Sequence, residues 1–115
     1  MKTSLPLLAI MAVITLLFAG CLHGGANVTP NTKAHYTATN PNDVEILRTK
    51  PDKPYTEIGT VEARFYVGQT AKMNDAIRAK AARLGADAVI ITSEGESGAY
   101  SQFAYATGVA IKYKQ

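Results

Sequence analysis

The sequence predicts an α+β fold, a two-layer sandwich in which an antiparallel or mixed sheet of three to four strands (β-β-α-β-β) packs against one helix. Three observations lead there. "IGTVEARFYV", residues 58–67, alternates small or apolar residues with Thr60, Glu62, Arg64 and Tyr66, the period of a half-buried strand. "TAKMNDAIRAKAARLG", residues 70–85, places Met73, Ala76, Ile77, Ala81 and Leu84 at helical spacing with the charged residues elsewhere. Gln102 to Tyr113 returns to period two, with Phe103, Tyr105, Val109, Ile111 and Tyr113 on one side and Ala104, Ala106, Gly108 and Ala110 on the other.

The remaining elements follow in order. "VEIL", residues 44–47, is a short strand candidate ahead of the turn-rich "TKPDKP". Thr70 is placed to cap the helix and Gly85 to end it in a left-handed conformation. "ADAVIIT", residues 86–92, is a compact β-branched run that suits a strand buried on both faces, and "SEGESG" after it reads as a turn. A strand, helix, strand crossover leaves its two strands parallel, so the last strand is expected to insert antiparallel between them. Its Ala and Gly face suits close approach by the Ala-rich helix or by another subunit.

The chain of 115 residues has room for one small domain, because its start reads as a targeting segment. Lys2 supplies a positive start, Leu5 to Phe18 is almost wholly apolar, and Ala19-Gly20 precede Cys21, the single cysteine. A membrane-spanning helix needs about 20 apolar residues, and the run falls short of that. "ITLLFAGC", residues 14–21, resembles a bacterial lipobox. The resemblance implies cleavage before Cys21, a diacylglycerol on its sulfur and an acyl group on its new amine. Residues 1–20 are thus expected to be a lipoprotein signal peptide, and Cys21 the lipidation site through which the chain meets the lipid bilayer. Leu22, in place of an Asp, implies the periplasmic face of the outer membrane by the same resemblance.

Residues 21–42 are rich in Gly, Asn, Thr and Pro and read as the lipidated Cys21 with a flexible tether; residues 43–115 read as the folded domain. Loss of Lys2 with the signal segment lowers the net charge from +3 to +2, too balanced to suggest a nucleic-acid partner. An enzyme needs a nucleophile with a base, paired carboxylates in a cleft, or a metal site. From residue 43 onward there is no His and no Cys, and the carboxylates are scattered. No catalytic residue, cofactor or metal ligand is therefore assigned. His23 and His35 fall in the tether, Glu94 and Glu96 flank Gly95 in the expected turn, and Asp87, amid apolar residues, needs hydrogen-bond donors.

"YTEIGTVEA" (55–63), "AARLGADAVIIT" (81–92) and "ATGVAIKY" (106–113) together resemble small bacterial envelope lipoproteins with YbjQ-like or RcsF-like domains. The resemblance implies a non-catalytic envelope sensor, adaptor or binding module that contacts another envelope component. The alternative it implies is a self-assembling, oligomeric domain that binds a small ligand or a metal. Tyr66, Tyr100 or the spare face of the last strand are the candidates for contact with a partner protein or a second copy.

Overall fold

A computed structural model describes residues 24–115; the expected signal segment 1–20, Cys21, Leu22 and His23 lie outside them. The described elements are β1 (Gly25–Pro30), a 3-10 turn (Pro41–Asp43), β2 (Glu45–Leu47), β3 (Tyr55–Tyr66), helix α1 (Thr70–Arg83), β4 (Ala88–Ser97) and β5 (Phe103–Tyr113). One sheet of order β1-β3-β5-β4-β2 carries α1 on one face. Strands β3 and β4 both run antiparallel to β5, which lies between them as the crossover argument requires. Strand β2 is parallel to β4, which makes the α+β sheet a mixed one.

The sheet has five strands rather than three to four, and the additional one comes from the segment expected to be a tether. In "GANVTP" only Ala26 and Val28 are apolar, yet they sit opposite Ala63 and Val61 and complete the helix-facing side of the sheet. An edge strand needs no more than one buried face. Beyond Pro30 the chain wraps the far end of α1: Thr39 N–H donates to Ala82 O at 2.9 Å and the Thr39 hydroxyl donates to Ala86 O at 2.6 Å. The segment from residue 25 to residue 42 is therefore docked on the domain rather than swinging free.

Helix α1 buries Met73, Ile77 and Ala81, four residues apart and so on one face, against Ile58, Val61, Val89 and Ala110. Gly108 lets β5 lie close on β4, since a Cβ there would lie 2.8 Å from both Ile90 O and Val89 Cγ1. The small side of β5, with Ala104, Ala106 and Ala110, joins the same core as the helix. Thr70 is the first helical residue and not the cap; Gln69 occupies the cap position and makes no side-chain cap bond. At the other end Gly85, at φ +84°, closes a Schellman turn in which Ala86 N–H donates to Ala81 O (3.1 Å) and Gly85 N–H to Ala82 O (3.0 Å).

Two register shifts shape the sheet, one at Ile58 in β3 and one at Thr92 in β4. The expected turn at "SEGESG" is instead strand through Ser97, and the reversal falls at Gly98–Gln102, with Gly98 at φ +103° and Ser101 at φ +53°. On the face away from the helix a second apolar cluster gathers Ala88, Ile90 and Ile111 beneath Leu47, Tyr55, Val109 and Tyr113.

Candidate binding face

The bulky row of β5 lies on the sheet face that α1 does not cover. Its lower part, around Ile111, is closed by the second apolar cluster. Its upper part, Phe103, Tyr105 and Thr107, is half-buried and opposed on β3 by Tyr66, Arg64 and Glu62. The Arg64 guanidinium carbon stands 4.1 Å from the centre of the Phe103 ring, a cation–π contact, and Tyr66 stacks on Phe103 with centroids 5.1 Å apart. Across β5, Gly95 leaves room for Tyr105: a Cβ there would approach the Tyr105 hydroxyl to 3.0 Å. Strand pairing therefore builds a strip of flat rings with a guanidinium on it, half-buried but open to solvent.

At the lower end, Asp87 finds its donors in the backbone. Its Oδ2 accepts the Tyr113 N–H at 2.8 Å, and Lys112 Nζ lies 3.9 Å from its Oδ1. The Tyr113 phenol is held above its ordinary pKa, first by burial and then by the negative charges of Glu45 and Asp87. Lys53 Nζ stands 5.0 Å from the centre of the same ring.

Glu94 and Glu96 lie on β4, and Glu94 takes two hydrogen bonds from Arg48, at 3.0 and 3.2 Å. The pair raises the Arg48 pKa, mainly through the hydrogen bond to Glu94. His35 lines a cleft of about 120 Å³ with Tyr36, Ile58, Arg83 and Leu84, a space large enough for a few waters. Among the described residues, no three His, Cys, Asp or Glu side chains come together, and no polar or charged residue is buried. The arrangement offers surface recognition through rings, a guanidinium and backbone edges.

The alternation of β5 made its bulky face legible, but nothing in the sequence paired Arg64 with Phe103 or Tyr105 with Gly95. Those contacts depend on register, which the two bulges set.

The same fold occurs in a solved structure, a Francisella virulence factor, FvfA, in its orthorhombic crystal form. It superposes with a TM-score of 0.61 at 18% identity, covering 76% of this chain and 96% of that one. At that identity the likeness shows the fold alone. No family model matches the chain, and no curated protein does.

Proposed function

We propose that this chain is a lipid-anchored bacterial envelope lipoprotein whose YbjQ-like or RcsF-like domain works without catalysis, as a sensor, adaptor or binding module for another envelope component. Cys21 is the lipidated residue and holds the domain at the periplasmic face of the outer membrane. The observation that carries the binding role is the strip of Arg64, Phe103 and Tyr105 on the uncovered sheet face, since aromatic and Arg side chains dominate contact energies at protein interfaces.

The test is site-specific photo-cross-linking in cells, with the full-length protein carrying the probe at Tyr105 or, for comparison, at Lys80 on the helix. An adduct with one envelope component from Tyr105 alone supports the reading. Adducts only between copies of the chain favour the self-assembling alternative, and equal yields from both positions sink the face as a binding site.

A further inference from the structure

Among the described residues the large hydrophobic side chains left exposed are Tyr66, Val67 and Tyr100, at 44%, 46% and 92%. All three belong to one end of the sheet. Tyr66 closes β3 and pairs with Phe103, Val67 N–H donates to Gln102 O at 2.8 Å, and Tyr100 sits at the tip of the β4–β5 hairpin. Scattered exposed apolar residues need no explanation, but their gathering at one tip does.

The chain enters the domain at this same end. Gly25 opens β1 opposite Arg64, and Gly24 packs so tightly on Phe65 that a Cβ there would lie 2.8 Å from the Phe65 Cα. Because β1 runs antiparallel to β3, it starts at the end of the sheet where β3 finishes with Tyr66. Three residues separate Cys21 from Gly25, and the four steps between them span at most about 14 Å when fully extended. A lipid on Cys21 would leave the domain little freedom to turn this end away from the bilayer.

The charge at this end suits anionic headgroups. Arg64 lies just behind the aromatic pair, Lys72 stands exposed in the first turn of α1, and that turn holds no acidic residue. Glu96, opposite Ala104, is the carboxylate one step in from the tip.

We propose that this end of the sheet lies on the lipid surface, with Tyr66, Val67 and Tyr100 entering the headgroup region. Tyrosine suits that depth because its ring is apolar and its hydroxyl can stay hydrated. The patch then acts as a second membrane contact beside the acyl chains, and it fixes the domain's orientation with β1 and β3 rising from the bilayer. The inference rests on Cys21 as the anchor.

The chain contains no tryptophan, so one introduced Trp reports on its own surroundings. The test places full-length Tyr100→Trp and, separately, Lys114→Trp, an exposed position at the opposite end, in phosphatidylcholine–phosphatidylglycerol vesicles with brominated acyl chains. Tyr100→Trp is expected to lose most of its emission and shift to the blue, while Lys114→Trp keeps its emission. Equal emission from both would overturn the inference. So would a Tyr100→Trp spectrum already blue-shifted without lipid in a protein of dimeric mass, which would mean a second copy covers the patch. The mass of the peptide holding Cys21, read on the same samples, tests the anchor separately: a lipidated Cys21 with an unquenched probe refutes the patch alone, and an unmodified Cys21 refutes the anchor.

Discussion

Asp87 and Tyr113 clamp the start of β4 to the end of β5. The Asp87 carboxylate accepts the Tyr113 N–H at 2.8 Å while its own N–H donates to Ile111 O at 2.9 Å. The side chain thus lengthens the ladder by one bond where regular pairing stops at Ala88 and Ile111. Asp87→Ala is expected to cost about 1.5–3 kcal/mol, as for a hydrogen bond to a charged group, and Asp87→Asn less, because its amide oxygen can still accept. Urea denaturation of the three proteins checks the order.

The Tyr113 phenol gives a signed pH dependence. Its folded pKa lies above the ordinary value of about 10, so between the two values the folded state holds more protons than the unfolded chain. Stability from this group is complete below the unfolded pKa and falls as pH rises through the folded one. Thermal melts above pH 9 should show Tyr113→Phe losing less stability with pH than the parent; parallel curves would count against the assignment.

Ile77 is 1% exposed at the centre of the helix–sheet contact. Ile77→Ala is expected to lose about 2–5 kcal/mol, from lost transfer energy and the cavity left behind. Denaturant midpoints at unchanged m-value measure it.

Gly59 lies where three elements meet: an added Cβ would come within 2.5 Å of Leu84 Cδ1 and 2.8 Å of Thr29 O. The leucine can rotate, but the β1 backbone can give way only by leaving β3. Gly59→Ala should therefore loosen β1 selectively, and hydrogen exchange over residues 25–30 should quicken more than over β4.

The Arg48–Glu94 pair is bidentate but largely exposed, so its coupling in a double-mutant cycle should be about 0.2–1 kcal/mol and shrink in high salt.

Periodicity carried the legible part of the fold. Strands β3 and β5 and helix α1 each bury one continuous face over many residues, and their order implied that β5 inserts between β3 and β4. Strand β1 was hidden because Ala26 and Val28 are its only apolar residues and Gly, Asn and Pro surround them. The outer half of β4 was hidden for a related reason: Ser93 to Glu96 are exposed and Ser97 only half-buried, so no buried face marked the segment as strand. Local propensity favoured a turn there, and pairing with β5 overrode it. The strip of rings was half legible, since its members on β5 stand in one alternating row while Arg64 and Gly95 join it only through register.

The central position of β5 bears on how the protein acquires its shape. Without residues 103–113, β1 and β3 form one pair and β2 and β4 another, with no sheet joining them. A chain emerging N-terminus first cannot close its sheet until the last described strand is available, because β5 alone joins β3 to β4. Such a chain stays open until its final segment is free to pair, and its two halves become one sheet only then.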